Sequence, residues 1–308
     1  MTIRTPTPST NRQALYDLNT IKARMALNSE KLTSGSAITR LGDDPTGAAL
    51  VVDFRASVAK NKAYVQQAET AGTYLSASES AVSTMQNAVV RLLELGQEGL
   101  TGTTGATGRA SMAAEVTGLS TNVLDSANTQ VQGKYVFAGT LTTAKPFAAN
   151  PLPSPPNPPV VYSGNSGTVT LDVSVSAAVT TNIPGDSVCF GPGGAGSSTD
   201  IFQAMADLAN GLTSNNTAQI QTAYNNLKSI NDNLNTAITD LGGRQAGLTN
   251  LKDNLSAYNV SLQAIQGTYE DVDYAGVISQ YYQDQTAQQV SLSTMAKTNS
   301  RNLFDFIS

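Results

Sequence analysis

LKSINDNLNTAITDLGGRQAGLTNLKDNLSAYNVSLQAIQGTYEDV, residues 227–272, sets down a stripe of side chains at alternating intervals of three and four. Of its fourteen positions (Leu227, Ile230, Leu234, Ala237, Leu241, Arg244, Leu248, Leu251, Leu255, Tyr258, Leu262, Ile265, Tyr269 and Val272), only Arg244 is not apolar. A heptad repeat sustained this far is the pattern of one helix laid along another, because a mean step of 3.5 residues keeps a single seam facing the partner. Gly242, Gly243 and Gly247 weaken the middle of the helix, each by about 1 kcal/mol relative to alanine. The repeat breaks at Val272-Asp273, where Asp273 can cap a fresh helix and Val272 can staple onto Val277.

Beyond that joint, residues 273–306 carry a weaker stripe. Ile278, Tyr281, Leu292 and Met295 share a face with Gln285, Gln288, Asn299 and Asn302, and Leu303, Phe304 and Phe306 lie near the end. Polar residues in such a seam lower stability but specify register and partner number, so this helix is expected to be ordered against a defined neighbour. The other end of the chain offers one. Ala14, Leu18, Ile21, Met25 and Leu32 follow the same spacing, again interrupted by Asn28. The two half-polar ends are therefore expected to meet, with assembly completing their burial. The expected assembly interface is Leu18, Ile21, Met25, Leu32, Ile278, Tyr281, Leu292, Met295, Leu303, Phe304 and Phe306.

Between these ends the chain reads as long helices around one interruption. The first helix runs from about Asn11 to Leu32 and stops near Gly35; Asp44 before Pro45 then has the form of an N-cap followed by a first-turn proline. The helix starting there carries Val51, Phe54, Val58, Val65, Ala68, Leu75, Val82, Val89 and Leu93, with Asn61, Gly72, Glu79 and Gln86 as interruptions. Its length is near 50 residues, roughly 75 Å at the helical rise. Met112, Val116, Leu119, Val123 and Ala127 mark a third helix that returns antiparallel. At Gly133 the period changes: GKYVFAGT reads as a short strand, and the proline run 151–159 as an extended loop. Alternation over 160–162, 168–175 and 179–183 predicts further strands, with 164–167 as a hairpin turn joining the first two. From Thr199 the helices resume, Phe202, Met205, Leu208 and Leu212 on one face, and Asn216 with Gln219 placed to cap the next.

Composition narrows the function classes. Across 308 residues the net charge is −5 and the sequence pI about 4.8, with lysine and arginine scattered, which argues against nucleic acid and anionic membrane as partners. Charged residues make up 13%, well below the usual share, and a surface so low in charge tends to self-associate. Histidine is absent and Cys189 has no partner cysteine, so neither a disulfide framework nor a His or Cys metal site is expected. No run of 18 apolar residues occurs, and MTIRTPTPST lacks the regions of a cleaved secretory signal. The protein is expected either to stay inside the cell or to leave by a route that reads something else.

Three patterns invite a chemical reading and each has a plainer one. Gly191-Pro-Gly193-Gly-Ala-Gly196 matches G-x-G-x-x-G, but no βαβ unit surrounds it and it reads as a return linker. Asp43-Asp44 and Asp271 with Asp273 stand at helix starts, where capping explains them better than acid/base work or cation binding. Tyr281-Tyr282 reads as one seam residue and one surface contact. Without histidine or an activated thiol, nucleophilic catalysis has no apparatus; no catalytic residue, cofactor or metal is expected.

LTSGSAITRLGDDPTGAAL, residues 32–50, resembles the N-terminal signature of the flagellin superfamily. GKYVFAGT with Lys145-Pro-Phe147, VVYSGNSGTVTLDV, YEDVDYAGVISQ and the ending TMAKTNSRNLFDFIS are similar to segments of the flagellar hook-associated protein 3 family, so that the resemblance spans nearly the whole chain. It implies a non-enzymatic structural subunit, secreted unfolded through the flagellar type III export apparatus into the extracellular flagellum, at the junction of hook and filament. Its implied partners are a ring-like layer of identical subunits, the hook-side junction protein, flagellin and an export chaperone that covers the C-terminal stripe. The expected fold is mainly α, long antiparallel coiled-coil helices from both chain halves with a small β insertion. Residues 1–40 and 273–308 would be terminal assembly helices of an inner coiled-coil layer, 41–135 and 199–272 a long-helix rod, and 136–198 the β-rich insertion.

Overall fold

The computed structural model describes residues 8–307 apart from 41, 102–103, 152–157 and 175–177, with side chains described between residues 12 and 297. The chain folds as two compact units, one of residues 1–60 and 258–308, the other of residues 61–257.

In the first unit, α1 (Pro8–Ser34) and α7 (Tyr274–Ile307) pack together. They run antiparallel, since Arg24 meets Asp284 while Gly35 lies against the Tyr274 hydroxyl. Gly35 ends α1 at φ +71°, its amide donating to Lys31 O at 2.9 Å, the left-handed stop that glycine adopts without a Cβ clash. The chain then crosses at the base of the pair: Ala37 N donates to Glu270 O at 2.7 Å and Val272 N to Gly35 O at 3.2 Å. Two of the caps expected from the sequence form here. Asp44 Oδ1 accepts from the amides of Thr46 (3.1 Å) and Gly47 (2.9 Å) at the start of α2 (Pro45–Leu100), and Asp273 Oδ1 accepts from Ala275 and Gly276 at 3.1 Å each.

In the second unit, α2 lies antiparallel to α6 (Thr217–Glu270): Gln86 bonds Asn235, Gly96 faces Tyr224 and Gly99 faces Ile220. The buried face of α2 is Ala71, Leu75, Ser78, Val82, Met85, Val89 and Leu92. It differs by one residue, at every second position, from the stripe expected through Gly72, Glu79, Gln86 and Leu93. The 3–4 and 4–3 phases of a heptad share alternate residues, and burial selects the phase that puts Met85 and Leu92 inside. Three of the expected interruptions thereby leave the seam. Ser78 remains, its hydroxyl donating to Tyr74 O at 2.8 Å.

On α6, Leu227, Ile230, Leu234, Leu241, Leu248, Leu255 and Leu262 are buried as expected, but Tyr258, Ile265 and Tyr269 are exposed. After Leu255 the half-buried positions become Asn259 and Gln266, the same one-residue change of phase. α3 (Ala106–Ala127) packs on α5 (Ile201–Thr213) through Met112, Val116 and Val123 on one side and Phe202, Met205, Leu208 and Leu212 on the other.

The insertion holds three two-stranded antiparallel sheets: β1 (Gln130–Val131) with β2 (Lys134–Tyr135), β3 (Phe147–Ala149) with β4 (Val160–Tyr162), and β5 (Thr170–Asp172) with β6 (Ala178–Thr180). The expected hairpin between 160–162 and 168–175 does not form. Tyr162 pairs with Phe147 instead, because the Asn128 side chain receives Phe147 N and donates to Phe147 O, at 3.0 Å each, and so presents that segment as the mate. Most of the proline run connecting β3 to β4 lies outside the described residues. Phe147 is fully buried, its ring 4.9 Å from Tyr162, 5.9 Å from Phe190 and 6.1 Å from Phe202, which ties the insertion to α5. α4 (Gly185–Cys189) ends in Cys189, whose thiol is pushed up by burial and serves as packing.

Candidate assembly interface

The pair of terminal helices is where the expected interface residues gather. On α1 the expected stripe faces inward: Leu18 and Ile21 are buried, and Ala14, Met25, Asn28 and Leu32 are half-buried. On α7 the inward face is Val277, Tyr281, Asp284, Gln288, Ser291 and Met295, so Tyr281 and Met295 lie in the seam of the pair. Ile278 and Leu292 do not. They stand 42% and 47% exposed, one residue off the seam. Leu303, Phe304 and Phe306 lie outside the residues whose side chains are described.

A polar residue that the sequence reading passed over sits at the middle of this seam. Asp284 is buried, Oδ1 2.6 Å from Arg24 Nη2, while Oδ2 is buried without a hydrogen-bond partner. Arg24 flanks Met25 and is half exposed. A half-satisfied carboxylate in a seam costs stability and disfavours any pairing that removes its arginine. The signal that could have found it is the alternative heptad phase, in which Val277, Asp284 and Ser291 recur every seven residues.

With its seam spent on polar groups, α7 turns apolar surface outward on two flanks. Ile278 and Leu292 lie on one; Tyr282 and Val290, with Ser279 and Thr286, line a shallow groove on the other. Leu15 and Tyr16 are exposed on α1. Near the base, Arg55 pairs with Glu270 and the rings of Phe54 and Tyr269 stack at 6.2 Å. The Gln266 amide, then Arg55, holds the Glu270 carboxyl below its ordinary value.

The remaining sequence candidates resolve into structure. At 191–196 the chain makes a turn of 3₁₀ helix, with positive φ at Gly191, Gly194 and Gly196. The helix that follows already has its anion: Asp200 accepts from Gly196, Phe202 and Gln203 amides and caps α5, where a phosphate would otherwise sit. Asp43 takes Thr39 Oγ1 at 3.1 Å and Arg40 N at 3.0 Å within a tight turn. Among the described residues, no group of three or more His, Cys, Asp or Glu could hold a metal ion, and no helix is long and apolar enough to cross a membrane.

The sequence also contains an anchor that was not anticipated. Arg109, on the first turn of α3, is buried and donates to Gly99 O from Nε (3.3 Å) and Nη2 (3.2 Å), to Thr101 O (3.4 Å) and to the Asn215 side chain. One guanidinium thus satisfies the carbonyl end of α2 and holds the turn between α5 and α6, where Asn215 has φ +53°.

Comparison with known proteins agrees with this architecture. Residues 7–142 match the bacterial flagellin N-terminal helical region and residues 224–307 the C-terminal helical region. Flagellar hook-associated protein 3 of Salmonella typhimurium is 27% identical over 89% of this chain and 90% of its own length. The Escherichia coli protein of the same name is 25% identical over 95% and 96%. The crystal structure of the flagellar junction protein from Legionella pneumophila superposes with a TM-score of 0.57 at 16% identity, covering 73% of this chain and all of that one. The chain belongs to the flagellin superfamily, and within it to the hook-associated protein 3 group.

Proposed function

We propose that the chain is a structural, non-enzymatic subunit of the bacterial flagellum that joins hook to filament from outside the cell. End-to-end similarity to hook-associated protein 3 supports the junction role. The observation that carries the assembly reading is the helix pair of α1 and α7, which consumes a half-polar seam within the chain and leaves Ile278, Tyr282, Val290 and Leu292 unpaired on its outside. Exposed apolar rows on both flanks of one helix suit a subunit with neighbours on both sides, as in a closed ring of copies.

In this reading residues 1–40 and 273–308 are terminal assembly helices of an inner coiled-coil layer, 41–135 and 199–272 a long-helix rod, and 136–198 a β-rich insertion. The hook-side junction protein lies on one side of the ring and flagellin on the other. A type III export chaperone covers the C-terminal helix beforehand, since apolar rows left open in the cytoplasm would invite premature association. Deleting the gene and imaging the cells tests the role. Hooks without filaments are expected, with filaments restored by the chain supplied in trans. Hooks still capped by junction proteins but lacking filament material would instead make the chain a filament subunit.

A further inference from the structure

Three features of α6 coincide within a few residues. Gly242, Gly243 and Gly247 stand in the middle of the helix, and a Cβ built on any of them meets nothing within 4 Å. No neighbour in the chain therefore requires glycine there, although each weakens the helix. Between the buried Leu241 and Leu248, the intervening seam position is Arg244, the one position of the seam from Leu227 to Leu255 that is not apolar. Beside it a groove opens between α2 and α6, walled by Gly72, Ser76 and Ser80 on one side and Gln245 and Thr249 on the other. The helix at this level has poor intrinsic stability, no central apolar knob and a gap alongside.

What spans the weak segment is Arg244 itself. Its guanidinium pairs with Asp240 at 2.7 Å, one turn back on α6, and donates from Nη1 to the backbone carbonyl of Asn182 at 3.2 Å. That carbonyl belongs to a rigid part of the insertion: the Asn182 side chain is buried, takes Val169 N at 2.7 Å and donates to Gly167 O at 3.1 Å. We infer that residues 242–247 are a hinge in α6, clasped by Arg244 to the insertion, so that the insertion decides whether the helix stays closed at this point. A long helix loaded at its ends opens first where it has least to lose, and the clasp makes that opening depend on the insertion.

Amide exchange on the whole chain tests this without reference to any partner. In the wild type, amides of 242–248 are expected to exchange at least about tenfold faster than those of 227–236, after correction for intrinsic rates. Gly242→Ala, Gly243→Ala and Gly247→Ala together should slow them on the order of a hundredfold, since each alanine shifts local opening about fivefold. The same triple variant should melt no lower than wild type. Arg244→Gln, too short to hold Asp240 and the Asn182 carbonyl at once, should speed exchange in 240–249 and leave 227–236 unchanged. Uniformly slow exchange along α6 in the wild type would overturn the hinge. A fall in melting temperature for the triple alanine variant would do so too, by showing that packing needs the glycines. An Arg244→Gln effect spread evenly along the helix would overturn the clasp.

Discussion

Replacing Arg109 with methionine keeps the length of the stem and removes only the donors. The guanidinium stands in a site with the carbonyls of Gly99 and Thr101 and the Asn215 side chain around it, and no carboxylate shares the load. Thr101 and Asn215 are exposed and can turn to water, which leaves the buried Gly99 carbonyl stranded. At about 1–3 kcal/mol for a buried group left unsatisfied, the loss is on the order of 2 kcal/mol. For a folding unit of this size the melting temperature should fall by about 6 °C. Circular dichroism at 222 nm on the monomer reads it, and amide exchange should rise first at 96–101 and 211–217, on either side of the lost anchor. Arg109→Lys should recover part of the loss, since an ammonium still complements the end of α2 but cannot reach all three acceptors. A melting temperature for Arg109→Met within about 2 °C of wild type would refute the reasoning, because exposed arginines contribute that little.

The pair Arg24–Asp284 should respond unequally to its two deletions. Arg24→Met strands a buried carboxylate and should lower the stability of the terminal pair by about 3 kcal/mol, whereas Asp284→Leu leaves a half-exposed arginine to water and should be near neutral, as chemical denaturation of the monomer would reveal. Equal losses would show that the pair acts as a surface bridge. Burial pushes the Asp200 carboxyl up against the pull of three amides. With its folded value above the unfolded one, the folded chain holds this proton to higher pH, so wild-type stability relative to Asp200→Asn should be greatest below the unfolded value and decline as pH rises through the folded one. Asp200→Ala, which also loses the cap, should cost about 1–2 kcal/mol at neutral pH, and thermal melts of both variants from pH 4 to pH 7 check the ordering.

Much of the fold is legible in the residues because helix ends and seams are local chemistry. Asp44 before Pro45, Asp273 after the broken repeat and Gly35 after a periodic run each mark a boundary with a mechanism, and each stands where it was expected. What the spacing leaves open is the phase. A seam stepping three then four and one stepping four then three share every other residue, so Leu75, Val82, Tyr281 and Met295 are inside on either reading. The choice between Gly72 and Ala71, or between Leu292 and Ser291, depends on what the partner helix presents. For α7 the partner presents Arg24, and the seam follows Asp284 in preference to two better hydrophobes. The strand pairing was hidden for a similar reason: Asn128, nineteen residues away on the end of α3, selects β3 as the mate of β4. No short-range turn signal records that. Arg109 was equally silent, since its acceptors are backbone carbonyls and carry no sequence signature.

Incorporation of a double variant, Ile278→Asp with Leu292→Asp, tests the central claim most directly. Both side chains stand outside the seam of the terminal pair, so the monomer should keep its helical circular dichroism and its melting temperature within about 2 °C of wild type. In the assembled layer each carboxylate would be buried against a neighbour without a counter-ion, at several kcal/mol per contact repeated around the ring. Supplied to cells lacking the gene, the variant should be exported to the medium, leave hooks bare and restore no filaments. Normal filaments would contradict the account, because they would place the subunit contacts elsewhere than on the outer flanks of α7.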